Sequence, residues 1–417
     1  MLQCNINGFE PETPLTSRSS RGARRAAPAL VHFALALGGF AIGTTEFATM
    51  SLLPFMAQGL GVDEPAAGHV ISAYALGVVV GAPLLAVLSA RLTRRTLLLL
   101  LMALFALANG LSALAPSYGW MLAFRFLSGL PHGAYFGIAA LVAASLVPDD
   151  KRTQAVARVM LGLTGATIAG VPFANWLGQA LGWRWGFGVV AVVAVATVAM
   201  IWLVAPRGAP EPGASPLREL SALGRRQVWL TLATGAIGFG GIFAVYTYLA
   251  STLMEVTGVG AGAVPLVLVM FGLGATAGNL IVPRFADRAL MPTAGALLVG
   301  SAAALALYPL AAANIWSISA AVFAIGVGAS LGTVLQTRLM DVAGDAQSLA
   351  AALNHSAFNL ANALGPWLGG VAIAAGYGWT STGWVGCALA LGGLAFWALS
   401  LYDARARRPL LLAEGCA

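Results

Sequence analysis

The chain has 417 residues, of which 59% are apolar and only 9% charged, with a formal net charge of +7. A soluble globular domain carries about 25% charged residues, so this composition excludes a water-soluble fold and points to a protein that lies mostly in lipid. The positive balance is explained by membrane topology and anionic lipid headgroups, with no need for nucleic acid.

Residues 1–28 are polar and rich in Ser, Arg and Pro, and read as a disordered cytoplasmic tail. Arg24-Arg25 ahead of an apolar run resembles an export signal, but the run is longer than the apolar core of a cleaved leader. Twelve predicted spans follow, at 29–53, 66–90, 96–115, 118–146, 153–178, 184–205, 228–254, 262–283, 292–311, 315–337, 346–376 and 379–402. Each is near or above the roughly 20 residues that cross a bilayer core of about 30 Å, and Pro54, Pro131 and Pro265 blur three of the boundaries. The expected organisation is a six-helix half over 29–205, a charged, Pro-rich cytoplasmic linker over 206–227, a second six-helix half over 228–402, and a cytoplasmic tail over 403–417.

Basic residues set the orientation, because cytoplasmic loops retain Lys and Arg. They fall in every second gap: Arg18, Arg21, Arg24 and Arg25; Arg91, Arg94 and Arg95; Lys151 and Arg152; Arg207, Arg218, Arg225 and Arg226; Arg284 and Arg288; Arg338; Arg405, Arg407 and Arg408. The other gaps hold Asp63, Glu64 and Glu255, with Arg184 the lone exception. Both termini are therefore expected in the cytoplasm.

Several chemistries are excluded by what is missing. Lys151 is the only lysine and no Gly-rich loop precedes it, so a phosphate-cradling ATPase loop is absent. His32, His69, His132 and His355 stand on separate spans without metalloprotease spacing, and Cys4, Cys387 and Cys416 are too scattered for a disulfide framework or a metal site. No cofactor is expected. An intramembrane serine hydrolase, with a Ser and a His facing each other at depth, is not forbidden by the sequence.

The two halves resemble copies of one another. Gly77, Gly81 and Arg91 match Gly274, Gly278 and Arg288 at one constant offset, and Gly165 and Gly170-Val171-Pro172 match Gly365 through Gly370 at nearly the same one. Two such halves, with a binding site between them near the midplane, are the architecture of many secondary transporters.

At this point the chain resembles the major facilitator superfamily, in its twelve-helix drug:proton antiporter branch and arabinose efflux permease-like group. The resemblance rests on Gly43-Thr44-Thr45-Glu46-Phe47 with Leu53-Pro54, Arg125 followed by Gly129-Leu130-Pro131-His132-Gly133-Ala134, Trp183-Arg184, and Leu353-Asn354 through Gly369-Gly370. It implies an all-α membrane protein of twelve helices in two pseudo-symmetric halves, a bacterial inner membrane location, a monomer, and a transporter rather than an enzyme. The loop between spans two and three departs from the family's signature. Ala90 and Thr93 stand where an acid and a Gly are usual, whereas Arg284-Phe285-Ala286-Asp287-Arg288 in the second half keeps its acid. Arg91, Arg94, Arg95, Asp287 and Arg288 are thereby implied as a cytoplasmic gate, and Gly165, Gly170 and Pro172 as the small-residue helix-packing motif of the antiporter branch.

Glu46 and Arg125 lie deep inside apolar spans, where a charge costs roughly 2.5–3.5 kcal/mol on insertion scales. Counted at 1.5 Å per residue, both reach the outer half of the bilayer on helices of opposite direction, so pairing is possible. Either they form a buried ion pair that fastens two helices, or Glu46 is a protonatable carboxylate whose proton affinity responds to desolvation and to the approach of Arg125. The resemblance favours the second. His132, two turns beyond Arg125, is either a proton relay or substrate ligand, or a packed neutral ring bonded to a carbonyl freed by Pro131.

His355, Asn359 and Asn362 share one helical face and read as a substrate-facing wall or an interhelical hydrogen-bonding stripe. Tyr135, Phe243 and Tyr246 read either as packing or interface anchors, the usual role of aromatics in apolar helices, or as rings that could hold an amphiphilic solute. The functional expectation is proton-coupled efflux of a drug-like compound or sugar by alternating access, with the proton gradient as energy source. A facilitator or importer of a sugar-like or nucleoside-like solute is the alternative on this fold, and a membrane-embedded enzyme the distant one.

Overall fold

The structure, a computed structural model, describes residues 27–62, 64–208, 215–260 and 263–414. The expected N-terminal tail up to residue 26, Asp63, the middle of the linker, Cys4 and Cys416 lie outside the described residues. Everything described is helix or short connection. Among the described residues, 11 helices are long and apolar enough to cross a membrane. The remaining span, Gln347–Ala372, has 26 residues but carries Asn354, His355, Asn359 and Asn362, which make it too polar for that class. It packs against spans two, four, seven, ten and twelve, so those amides are sheltered by protein.

Span one is Pro28–Ser51, continued past a break at Leu52 by Leu53–Leu60. Spans two, three, four and six are single helices, Glu64–Leu88, Arg94–Ala113, Tyr118–Ala144 and Arg184–Val204. Pro131 sits inside span four without ending it. Span five runs Arg152–Gly165, passes through a π-helical turn at Ala166–Gly170, and resumes as Val171–Leu181. Pro172 explains the turn: its missing N–H leaves the preceding ladder one donor short, and a wider turn accommodates the gap. A short linker helix, Pro216–Leu220, precedes span seven, which is Arg226–Gly238 and Gly240–Glu255. Spans eight and nine are Val264–Ala286 and Leu290–Ala311, and span ten is Ile315–Gly328 with Leu331–Val342. Gln347–Ala372 ends in a second π-helical turn, Ile373–Tyr377, and span twelve is Ser381–Glu414. That last helix runs through residues 403–414, where a tail was expected.

Helix pairing repeats between the halves. In the first half, span one packs against five and six, two against four, and three against four and six. In the second, seven packs against eleven and twelve, eight against ten, and nine against ten and twelve. The contacts between halves follow the same symmetry: span eleven lies on spans two and four, and span five on spans eight and ten. The chain is a multi-pass, all-α membrane protein of two pseudo-symmetric six-helix halves.

Small residues let the halves meet. A Cβ at Gly133 would stand 2.7 Å from Ala82 Cβ and 3.1 Å from Ala352 O, and one at Gly137 would stand 2.7 Å from Ala352 N. The pair is spaced one helical turn apart, as small-xxx-small contacts in membranes are. Within the first half the tightest approach of spans one and five is at Gly162, against the Ala36 carbonyl, while Gly165 meets only Phe40 at 3.8 Å. Gly170 packs against Thr44 and Phe40, so the expected packing motif is centred one turn earlier than its first glycine. The exception among the loop charges also has a structural reason: Arg184 donates to Ala115 O at 3.1 Å and lies 4.3 Å from the Trp183 ring, serving the end of span three.

Candidate functional site

A cavity of about 100 Å³ lies between the halves, lined by Glu46 and Phe47 from span one, His132 from span four, Thr164 from span five, Phe239 and Phe243 from span seven, and His355, Phe358 and Asn359 from span eleven. A second chamber of about 90 Å³ shares Phe47, Thr164, Phe239 and Phe243 and adds Tyr246 and Phe271. Phe47 and Tyr246 face each other across the halves with ring centroids 6.5 Å apart. The walls are mostly aromatic, with a few polar groups converging on the space, as in a small-molecule site.

Glu46 faces this cavity and Arg125 does not line it. The ion pairs among the described residues do not include the two of them. Successive residues on a helix point about 100° apart, and Arg125 takes the neighbouring side chain: it donates to Thr45 Oγ1 at 3.0 Å. Thr45 in turn donates its hydroxyl hydrogen bond to Asn109 Oδ1 at 2.7 Å, which ties span three into the network. The guanidinium also reaches Ser128 Oγ at 3.4 Å and lies 4.4 Å from the Tyr74 ring centre and 5.4 Å from that of Phe187. At 1% exposure it is a fully enclosed cation held by hydroxyls and ring faces. Glu46 remains within its electrostatic reach.

His132 is buried on span four, two turns beyond Arg125. Its Nδ1 is 2.9 Å from Tyr74 Oη and bonds no carbonyl freed by Pro131. Its ring centre lies 5.3 Å from that of His355, which stacks on Phe136 at 4.4 Å and 12°. Arg125, Tyr74, His132 and His355 therefore form a continuous line of contacts from the first half into the second. Tyr74 was missed in the sequence reading because a lone Tyr in an apolar span carries no signal of what it faces.

On span eleven, Asn359 Nδ2 donates to His355 O at 2.9 Å, leaving Asn359 Oδ1 buried without a partner. His355 Nε2 is likewise buried and unpartnered. Such groups cost free energy unless something satisfies them, and both residues line the cavity. Two expected substrate residues are placed elsewhere. Tyr135 lies in the core of the first half, where its hydroxyl donates to Leu35 O at 2.8 Å and its ring fills the space beside Gly38. Its side of span four faces span one. Asn362 is half-buried a turn beyond Asn359 and is not on the cavity wall. Tyr246 and Phe243 are at the chambers.

The halves are closed at the end that bears the loop arginines. Asp287, at the end of span eight, accepts from Thr153 N at 2.8 Å and Gln154 Nε2 at 2.9 Å, capping the start of span five. Arg152 pairs with Asp341 of span ten at 3.2 Å. Of the implied gate, Arg91 and Arg288 are exposed, Arg95 donates to Trp202 O within the first half, and Arg94 and Arg95 line a cavity of about 300 Å³ behind span two. Glu219 of the linker helix accepts from Leu349 N at 2.8 Å, a contact that no sequence pattern announced.

Comparison with known proteins agrees with this architecture. The family model described as Major Facilitator Superfamily matches residues 35–344 and 249–414. The inner membrane transport protein YdhP of Escherichia coli K12 is 42% identical over 83% of this chain and 90% of its own length. The chloramphenicol resistance protein of Streptomyces lividans is 34% identical over 80% of this chain and 86% of its own length. A probable sugar efflux transporter of Helicobacter pylori is 31% identical over 88% and 93%. Among solved structures, the transporter FucP in its outward conformation superposes with a TM-score of 0.73 over 90% of this chain and 99% of that chain, at 16% identity, a likeness of fold alone.

Proposed function

Because the chain belongs to the Major Facilitator Superfamily of membrane transporters, we propose that it is a proton-coupled exporter of a small, uncharged organic solute, working by alternating access in a bacterial inner membrane as a monomer with both termini in the cytoplasm. The end closed by Asp287 and Arg152 is then the cytoplasmic one. Relatives named for chloramphenicol resistance and for sugar efflux support export of a drug-like or sugar-like solute. The observation that carries the reading is Glu46: the carboxylate lines the cavity between the halves while Arg125, beside it, is held by Thr45, Ser128 and the Tyr74 ring. A carboxylate in that position can take a proton from one side and release it to the other as the halves rock. Arg125 stays fixed on Thr45, Ser128 and the Tyr74 ring throughout.

The solute is held by the second half. Asn359 Oδ1 and His355 Nε2 offer it an acceptor and a nitrogen that can act in either role, between the faces of Phe243, Phe239 and Phe358. A hydroxyl or amide on an otherwise apolar molecule complements that wall, and the proton taken up by Glu46 needs no charged cargo to balance it. The test is export driven by a pH gradient in proteoliposomes, with chloramphenicol and a pentose as probes. Glu46→Gln is expected to abolish gradient-driven export while leaving exchange of the same solute between equal pools. Gradient-driven export surviving in that variant would refute the role of Glu46, and insensitivity of the unaltered protein to a protonophore would indicate a facilitator instead.

A further inference from the structure

Spans five and eleven are symmetry partners, and each begins at the cytoplasmic end with a residue that offers no side-chain cap: Lys151 for span five and Ala346 for span eleven. Span five receives its cap from Asp287 across the interface. The symmetric position is Ala90, which has no carboxylate to give. Instead, Glu219 accepts from Leu349 N at 2.8 Å in the first turn of span eleven and is itself 6% exposed. Its linker helix packs on span two as well as on span eleven. Ala222, just beyond, is buried in one apolar cluster with Ala82 and Ala86 of span two and Leu349 and Ala350 of span eleven.

We propose that Glu219 is the positioning residue that clasps span eleven to the first half when the cytoplasmic side is closed, supplying from the linker the carboxylate that Ala90 lacks. A carboxylate on free N–H groups at a helix start is favoured by both the hydrogen bond and the helix dipole. The linker can lie on spans two and eleven together only while their cytoplasmic ends are adjacent, so the contact belongs to the closed side of the transport cycle. The space an acid at position 90 would occupy is present: Ala90, Glu219 and Ser348 line the same cavity of about 300 Å³.

The inference rests on the alternating-access reading but not on proton coupling or on any solute. Its test uses the full chain, with Cys4, Cys387 and Cys416 replaced by serine and spin labels at Asp150→Cys and Ala289→Cys, on the two halves of the cytoplasmic face. Distance distributions in lipid nanodiscs give the ratio of closed to open forms. Glu219→Gln is expected to lower that ratio about tenfold, the loss of a hydrogen bond to a charged group, and Ala90→Asp added to it is expected to restore the ratio. Ala90→Asp alone is expected to favour the closed form further, which keeps the test available if Glu219→Gln folds poorly. An unchanged ratio in Glu219→Gln, or failure of Ala90→Asp to raise it in either background, would overturn the clasp. A single distance population in the unaltered chain under all conditions would instead count against alternating access itself.

Discussion

Gly137→Ala isolates the closure of the side that bears the loop arginines. The added Cβ would stand 2.7 Å from Ala352 N and 3.0 Å from both Ala351 C and Ala352 Cα, all backbone atoms of span eleven in the other half. Helix backbone cannot rotate aside as a side chain can, so relief comes from moving the halves apart at that level. Overpacking of this kind costs about 1–3 kcal/mol. In a protein that can open there, the cost falls on the closed form alone and lowers its share by about 5–150-fold. Gly77→Ala serves as the contrast, since its Cβ would strike Phe126 O within the same half; it is expected to lower thermal stability without moving the equilibrium. Gly110 has open space around it, so Gly110→Ala should raise helix stability slightly and alter nothing else. The assay is the same distance measurement across the cytoplasmic face, paired with thermal unfolding in detergent. If Gly137→Ala and Gly77→Ala behave alike, the Gly137 contact does not report on opening and the assignment of this interface is wrong.

Tyr74→Phe removes one hydroxyl that faces His132 and keeps the ring over Arg125. It is expected to slow coupled export about tenfold, since a buried His nitrogen left without its partner costs about 1–3 kcal/mol, and to leave the closed-to-open ratio unchanged. A transport rate equal to that of the unaltered protein would show that the hydroxyl does nothing in the cycle. Asn359→Leu fills a cavity wall with an apolar group where an unpaired amide oxygen stood; stability is expected to rise or hold, while the apparent affinity for an exported solute falls at least tenfold in uptake assays with inverted vesicles. Equal affinity in that variant would place solute recognition elsewhere.

The fold was legible because a membrane imposes a strong pattern: each span must be long and apolar, and loop arginines mark one side. Span boundaries were less so. Pro131 does not end span four, whereas Pro172 follows a widened turn and Pro54 follows a break at Leu52. At the site, Glu46, His132, His355 and Asn359 were recognisable because polar groups deep in apolar helices are few, and the structure brings them to one cavity. Tyr135 was misplaced for the opposite reason: a tyrosine satisfies its hydroxyl on any nearby carbonyl, and spacing along span four does not say which neighbour it meets. Glu219 was invisible since a glutamate in a charged linker has no feature to separate it from a solvated one.

The proposed proton role of Glu46 and a fastening ion pair require different things of Arg125. A fastening ion pair would bring the two groups into contact, and deleting either would leave the other buried and unbalanced, at about 3–5 kcal/mol. Here Arg125 is held by Thr45, Ser128 and two ring faces, with its Nε left without a hydrogen-bond partner, so on the proposed reading Glu46 gains and loses a proton without breaking a bond to Arg125. The consequence is measurable by a double-mutant cycle with Glu46→Gln and Arg125→Gln. On thermal stability, the Glu46→Gln effect is expected to be small and nearly additive with that of Arg125→Gln, because the two groups do not share a bond. On gradient-driven export, either change alone is expected to remove nearly all of the activity, and the pair no more than either, because the field of Arg125 and the proton on Glu46 act in one step. Strong non-additivity in stability together with additive losses in transport would reverse the assignment and make the pair a structural fastening after all.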